Sequence, residues 1–210
     1  MTHIAIIAAA IAVANISSKE PAKEMTPLDR QLIDAVASAE SCEKPFSIFD
    51  EEERKEPVGP PPVKIIGDLI DSGANVNAQW PDGTTALMIA VQSNVQCAVD
   101  TLLARGADAG MKDAKGMTAL MHACSYKGAN QKIVYSLLQK HPNADEQSNS
   151  GSTALMYAAS KGKIEAVKIL LNFGADVDIK SKSGGTALSA AKGNEYKEIV
   201  KVLKKRGASK

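Results

Sequence analysis

Histidine is the residue that most often acts as a general base in catalysis, and this chain contains three, His3, His122 and His141. None has a second histidine close by in the sequence, and no Cys–His or Ser–His–Asp set can be named around them. The segment Lys161-Gly162-Lys163 is predicted to be a turn between helices, and no glycine-rich phosphate-binding loop is found. We therefore predict that the chain is not an enzyme and uses no cofactor.

Cysteine supplies metal ligands or disulfides, and the chain contains Cys42, Cys97 and Cys124. Their wide spacing fits no zinc pattern, so we predict no metal site. An odd count leaves at least one free thiol, and an oxidising compartment would permit one disulfide without requiring it. Similar segments later in the chain have an alanine, Ala159 or Ala191, at the position equivalent to Cys124. We therefore expect Cys124 to be a small buried residue.

The composition is that of a globular protein built from small helices. Hydrophobic residues make up 44% of the 210 residues and charged residues 23%, which excludes a disordered or collagen-like chain. Only 4% are aromatic, which disfavours an aromatic-rich β-sandwich. This length suits one or two domains with a sizeable core.

The net charge of +1 conceals an uneven distribution along the chain. Residues 1–110 contain 8 basic and 16 acidic residues, whereas residues 111–210 contain 17 basic and 8 acidic ones. An elongated molecule with one acidic and one basic end could steer a partner; the alternative is a solvated surface without a role. Because the lysines are dispersed and few aromatics accompany them, we predict no nucleic-acid partner.

The N-terminus carries an unbroken apolar run from Ile4 to Ala14. As a helix it would span roughly 16 Å, about half of a bilayer core, so we predict no stable membrane span. The run is typical of a secretory signal, with small residues at its end for cleavage. We predict a signal peptide at 1–14 and a periplasmic or secreted protein; the alternative is a cytoplasmic protein with a buried or frayed N-terminal helix.

Self-similarity along the chain is the strongest signal for the fold. A Thr-Ala-Leu anchor recurs four times with steps of 33, 35 and 33 residues, starting at Thr85, Thr118, Thr153 and Thr186. A Gly-Ala anchor keeps the same period, starting at Gly73, Gly106, Gly174 and Gly207. Between Gly106 and Gly174, where the period would place one more Gly-Ala anchor, the sequence has His141-Pro142 instead. The proline at this point also stops a helix.

Each unit is predicted to be a helix, a turn, a second helix and a loop. The first helix starts at a threonine whose hydroxyl accepts from a backbone N–H, and the second ends at a glycine. Residues 153–159 (Thr-Ala-Leu-Met-Tyr-Ala-Ala) and 170–176 (Leu-Leu-Asn-Phe-Gly-Ala-Asp) resemble the two signatures of the ankyrin repeat family, with Ala and Met in place of its Pro and His. The resemblance implies an all-α solenoid of about five helix-turn-helix units with β-hairpin-like loops.

The resemblance covers residues 26–210, after a polar tether at 15–25. The predicted repeats span 26–79, 80–112, 113–147, 148–180 and 181–210. The second helix of the first repeat is predicted at Val63–Ser72 and the last helix at Glu195–Arg206. Basic residues of the last helix are expected to form a polar outer face, as a capping repeat needs: Lys197, Lys201, Lys204, Lys205 and Arg206. The first repeat begins with Thr26 as a helix cap and contains an insertion at 41–62, which its prolines prevent from being helical throughout. The apolar residues of this insertion either fold back over the first repeat or contact a partner; they are Phe46, Ile48 and Phe49.

Ankyrin repeats are protein-binding scaffolds, and the resemblance places their contacts on the first helices and the loop tips. The residues it implies are Trp80, Pro81, Asp82, Thr84, Ile89, Gln92, Ser93, Asp113, Lys115, Met117, His122, Ser125, Tyr126, Asn149, Ser152, Tyr157, Lys161, Lys180 and Lys182. Trp80 is either an exposed binding hot spot or a residue packed against the next loop. Met88, Met121 and Met156 are either core residues or an adaptable contact strip.

Three functions remain open at this point. The first is a non-catalytic scaffold exported to the periplasm, which binds and inhibits or protects an envelope protein such as a peptidoglycan hydrolase or a stress enzyme, in a self-protection or immunity role. The second is a secreted effector that binds host proteins. The third is a cytosolic adaptor.

Overall fold

The computed structural model of the chain describes residues 25–39, 62–126, 130–141 and 143–208. The predicted signal peptide, all of the tether except Met25, and the insertion up to residue 61 lie outside these residues. So do His3, Cys42 and the three apolar residues of the insertion. The described part contains ten α-helices and no β-strand, which confirms the expected all-α repeat solenoid.

The helices form five consecutive pairs. They are α1 (Pro27–Ala37), α2 (Pro62–Asp71), α3 (Ala86–Gln92), α4 (Gln96–Ala104), α5 (Ala119–Ser125), α6 (Gln131–Lys140), α7 (Ala154–Ser160), α8 (Ile164–Asn172), α9 (Ala187–Gly193) and α10 (Lys197–Lys205). First helices stack on first helices and second helices on second helices, so the molecule has two layers. The first helices pack more closely on one another, so their side of the stack is the concave one.

The first helices begin at threonine for the reason expected from the sequence. Thr85, Thr118, Thr153 and Thr186 have extended backbones, and each hydroxyl accepts from the N–H three residues later. Thr26 caps α1 in the same way, with Asp29 completing a capping box. Buried polar groups must be hydrogen-bonded, and the cap satisfies both the hydroxyl and a helix N–H that has no partner within the helix.

Two helix starts differ from those that the sequence predicts. The last helix begins at Lys197 and not at Glu195, because Glu195 adopts a left-handed conformation with φ of 61°. Asn94 has the same conformation at the same point of an earlier repeat, with φ of 58°. This left-handed residue makes the turn between the two helices of a repeat. Helix α2 begins at Pro62, the last residue of the predicted insertion, because proline is well suited to the first helical position.

The core runs unbroken between the two helix layers. It is built from leucines and valines of the second helices and from alanines and leucines of the first helices. Met88 and Met121 are each 1% exposed and Met156 is 7% exposed, so the methionine ladder belongs to the core. Cys124 is buried as expected. Small residues such as Ala123, Ala158 and Ala191, all fully buried, let neighbouring first helices approach closely.

The loop before each first helix, here called the finger, stacks directly on the finger of the next repeat. A backbone N–H of each later finger donates to a backbone carbonyl of the finger before it. These bonds run from Ala114 to Asp82, from Asn149 to Lys115 and from Lys182 to Ser150, at 2.8, 2.9 and 2.9 Å. The amide of Gln147 adds a bond to the Lys180 carbonyl at 3.1 Å. The finger row is therefore held at a fixed spacing.

Glycine at the finger tip is required by this stacking as well as by the turn. Gly151 has φ of 76°, and a Cβ built there would lie 2.7 Å from the backbone nitrogen of Lys182 in the next finger. Gly184 has nearly the same φ, 80°, but a Cβ built there meets nothing within 4 Å. The two glycines thus share a conformation and differ only in the neighbour that stacks on them.

Alanine substitutions at Gly151 and Gly184 distinguish the contribution of finger stacking to stability from that of the turn conformation. Gly184→Ala is expected to lower the free energy of unfolding by about 1–2 kcal/mol, the cost of a left-handed residue with a Cβ. Gly151→Ala has the same conformational cost and also pushes the next finger away. The free energy of unfolding is therefore expected to fall further in this variant. Urea denaturation followed by circular dichroism measures both values. Equal losses would contradict a role for the glycines in finger stacking.

Candidate functional site

The concave side of the stack presents one continuous surface, here called the front face. It consists of the fingers and first helices of the second to fifth repeats, residues 80–93, 113–126, 148–161 and 180–192. All nineteen side chains that the sequence implicates in binding fall within these segments. The structure separates those that are exposed from those that are held by other residues.

A buried polar network joins the second and third repeats across the front face. His122 on α5 bonds through Nε2 to Asp113 Oδ2 at 2.9 Å, and its Nδ1 lies 3.2 Å from the amide nitrogen of Gln92 on α3. The other oxygen of Asp113 accepts from the N–H groups of Lys115 and Met117, both at 2.8 Å. The side chains of Asp113 and His122 are 9% and 15% exposed. This network holds α3, α5 and the third finger together.

The fourth repeat has a weaker version of the same arrangement. Ser148 occupies the place of Asp113, and its hydroxyl lies 3.5 Å from the hydroxyl of Tyr157, which occupies the place of His122. Ser148 also bonds to Ser150 at 2.9 Å, and Ser150 bonds to Ser152 at the same distance. These neutral hydroxyl groups exchange partners more readily than a buried carboxylate does.

Trp80 does not stand at an exposed tip. It is half-buried and packs against the hydrophobic core, and its Nε1 is buried without a hydrogen-bond partner among the described residues. Its backbone N–H donates to the Thr84 carbonyl and closes the finger. The exposed part of this finger is Pro81 and Asp82. Of the two interpretations offered by the sequence, the structure favours packing.

The remaining predicted residues divide by exposure. Met117 is only 9% exposed and lies in the core, because the finger turns its side chain inward. Half-buried members are Thr84, Ile89, Ser125 and Ser152. Exposed members are Ser93, Lys115, Tyr126, Asn149, Lys161, Lys180 and Lys182. The Asn149 side chain donates to the Ala114 carbonyl at 2.8 Å. The other exposed members are available for contact without any change in the fold.

Basic residues that bridge consecutive repeats were not foreseen from the sequence. Arg206, which was expected to lie on a polar outer face, donates to the Leu171 carbonyl at 2.9 Å and to the Asn172 side chain at 2.6 Å. Lys163 donates to the carbonyls of Ala123, at 3.0 Å, and Tyr126. In each case a cation satisfies carbonyls at the end of a helix in the preceding repeat. A basic residue recurring near a helix end is the sequence signal that could have indicated this role.

The reactive groups of the described residues are placed for structure. Burial raises the pKa of the Cys124 thiol to about 12, against a smaller opposing effect of the Lys163 charge, so the thiol stays protonated and unreactive. Burial also lowers the pKa of Lys163. Within these segments no group of three or more His, Cys, Asp or Glu side chains is arranged to bind a metal ion. Among the ten helices, none has the length and apolar character needed to cross a bilayer.

Comparison with known proteins identifies the repeated unit. A family model described as "Ankyrin repeats (3 copies)" matches residues 62–143 and 125–210. The chain is 33% identical over 118 residues to "Ankyrin repeat, SAM and basic leucine zipper domain-containing protein 1" of Dasypus novemcinctus, covering 54% of this chain and 24% of that protein. It is 36% identical over 116 residues to "B-cell lymphoma 3 protein homolog" of Mus musculus, covering 54% and 25%.

A further relative shows that the shared part is a module of larger proteins. The chain is 38% identical over 106 residues to "Tyrosine-protein kinase HTK16" of Hydra vulgaris, covering 49% of this chain and 14% of that protein. In all three relatives the matched segment spans a quarter or less of the whole protein. The similarity is therefore to their repeats.

Removing the Asp113 side chain tests the buried network. Asp113→Ala leaves His122 and two backbone N–H groups without their acceptor, so we expect the free energy of unfolding to fall by about 1–3 kcal/mol. Asp82→Ala is the matched control, because Asp82 is exposed and its side chain accepts a single hydrogen bond from the described residues, that of the Thr84 N–H at 2.9 Å. In this control the free energy of unfolding is expected to fall by less than about 1 kcal/mol. Equal decreases for the two variants in urea denaturation would show that the network does not hold the repeats together.

Proposed function

The chain belongs to the ankyrin repeat family, and we propose that it is a non-catalytic scaffold that is exported to the periplasm and binds an envelope protein across its front face. Ankyrin repeats bind other proteins, and in general they do so without catalysing a reaction. The observation that carries the proposal is a set of exposed side chains held on a rigid row of fingers. Such a surface loses little conformational entropy on binding.

Exposed front-face residues without a side-chain hydrogen bond to another described residue are the natural contacts. Tyr126 is the most exposed large hydrophobic residue of the front face, at 52%. Tyrosine combines apolar area with a polar group and is common at binding hot spots. Lys161 occupies the place of Tyr126 in the next repeat, and Lys115, Lys180 and Lys182 add exposed charge along the finger row.

A cell-wall hydrolase is the partner class that we favour. A concave, stiff surface is suited to covering the convex rim of an enzyme's cleft, and blocking the cleft would protect the cell that makes the enzyme. A stress enzyme of the envelope is the alternative partner in the same compartment. In either case the scaffold contributes binding and the partner contributes chemistry.

Two features support an exported protein. The first is the apolar run from Ile4 to Ala14, which is typical of a secretory signal. The second is Cys97, which is disulfide-bonded, whereas Cys124 is a free thiol. Disulfides persist in oxidising compartments such as the periplasm and are rare in the cytosol. The disulfide thus favours export over a cytosolic adaptor.

Capture of the partner tests the scaffold. The purified protein is immobilised and exposed to envelope extract, and the retained proteins are identified by mass spectrometry. We expect a cell-wall hydrolase or another envelope protein to be retained. In calorimetry with the purified partner, Tyr126→Ala is expected to weaken binding by more than about 1 kcal/mol, about fivefold in Kd.

The matched control uses a tyrosine on the opposite side of the molecule. Tyr135 on α6 is 48% exposed, nearly as much as Tyr126, and it contacts Phe173 and not the front face. Tyr135→Ala is expected to leave the partner's Kd unchanged. Equal weakening by both substitutions, or retention of the same proteins by an unrelated immobilised protein, would contradict binding through the front face.

The disulfide gives an independent test of export. Cys97 is disulfide-bonded and Cys124 is a buried free thiol. In fractionated cells the protein is expected in the periplasm, with a Cys97 that thiol reagents label only after reduction. Cys124→Ser should leave this labelling pattern unchanged. Protein recovered from the cytosol, or a Cys97 labelled without reduction, would contradict export.

A further inference from the structure

The front face of the fourth and fifth repeats carries charge of one sign. Residues 148–161 and 180–192 contain no aspartate or glutamate. They contain four lysines, which are all exposed and form no ion pair with any described residue: Lys161, Lys180, Lys182 and Lys192. This part of the front face, residues 148–161 and 180–192, is here called the lysine face.

The acidic residues of the fourth and fifth repeats lie outside the lysine face. Glu165 lies on the second helix α8 and forms an ion pair there. Asp176 and Asp178 precede the fifth finger, where Asp176 Oδ1 accepts the Asp178 N–H at 2.8 Å, and Glu195 and Glu198 lie around the start of α10. These carboxylates border the lysine face, whereas the charges within it are all positive and attract a partner of opposite sign.

Lys180 and Lys182 belong to a finger that, like the finger before it, carries a row of hydroxyl groups. Besides the fourth-repeat serines that bond to one another, Ser181 and Ser183 lie 3.0 Å apart in the fifth finger. A hydroxyl that now donates to another hydroxyl can turn to donate to a carboxylate, which is a stronger acceptor. The lysine face therefore offers both positive charge and neutral donors, the two groups that recognise a carboxylate.

The second repeat has a different surface at the equivalent place. Residues 80–93 contain a single charged residue, Asp82, and no lysine or arginine. At this end Pro81, Asp82 and Ser93 are exposed, whereas Trp80 and Ile89 are half-buried. The front face therefore changes along its length from an end without basic residues to a cationic end, which gives a partner a defined orientation.

We propose that the lysine face binds an acidic segment on the surface of a protein, with aspartate and glutamate side chains set against Lys161 and Lys182. The proposal rests on the scaffold function proposed above and specifies the chemistry of its partner. The arrangement favours a protein over a nucleic acid, because Tyr157 is the one aromatic residue of the lysine face and is half-buried. Single-stranded nucleic acids bind to surfaces on which bases stack on exposed aromatics.

Charge reversal with a matched control tests the lysine face. Lys161→Glu with Lys182→Glu reverses two charges of the face. Lys132→Glu with Lys197→Glu changes the net charge equally at exposed lysines near the starts of the second helices α6 and α10, where glutamate is tolerated by the helix dipole. The probe is a fluorescein-labelled polyglutamate peptide, and an oligothymidylate is compared with it. Fluorescence anisotropy and stopped-flow measure Kd and the association rate at low and high salt.

The unsubstituted protein and the control variant are expected to bind the peptide alike, and the lysine-face variant should associate about tenfold more slowly or not bind. Added salt should weaken peptide binding by the unsubstituted protein and by the control variant. Equal weakening in both variants, or tighter binding of the oligothymidylate than of the peptide, would overturn the proposal. These results do not depend on partner capture. If the captured partner bound the lysine-face variant as tightly as the unsubstituted protein, the scaffold function would stand and this inference would fall.

Discussion

Each repeat of this protein has an apolar surface and unpaired backbone groups that only the next repeat can satisfy, and this mutual dependence determines the rest of the structure. The carbonyl of Ser150 finds its donor in Lys182 of the following finger, and Leu155 is buried where α7 packs between the first helices of the neighbouring repeats. Residues that serve the stacking must therefore recur with the repeat. The exposed side chains of the front face are free of that requirement, and there the repeats differ from one another.

This division explains how much was predictable from the sequence. The helix pairs, the threonine caps and the glycine turns follow from local rules that repeat four times, so each instance supports the others. The start of α10 was misjudged because Glu195 has no preference for the left-handed conformation that it adopts. Asn94 has the same conformation in the equivalent turn, so this conformation goes with the position in the repeat and not with the residue's own propensity.

The nineteen candidate residues were identified by their place in the repeat. That place puts them in the fingers and first helices, but Met117 lies in the core and Trp80 packs inward. Whether such a side chain is exposed depends on partners far away in the sequence. His122 is hydrogen-bonded to Gln92, 30 residues earlier in the sequence, and no local sequence pattern predicts that bond. Trp80 illustrates the same limit, since an aromatic residue in a loop packs inward when the neighbouring core offers space.

The two halves of the front face differ in how far their side chains also hold the fold. In the second and third repeats, polar side chains such as Asp113 are buried and bonded to each other, so removing one to suit a new partner would cost stability. In the fourth and fifth repeats the corresponding positions are serines with neutral bonds, and the lysines have no ion pairs among the described residues. A surface can change its partner chemistry most easily where its side chains do not also hold the fold. Binding specificity should therefore reside mainly in the cationic half, while the buried network keeps the finger row at the spacing that presents it.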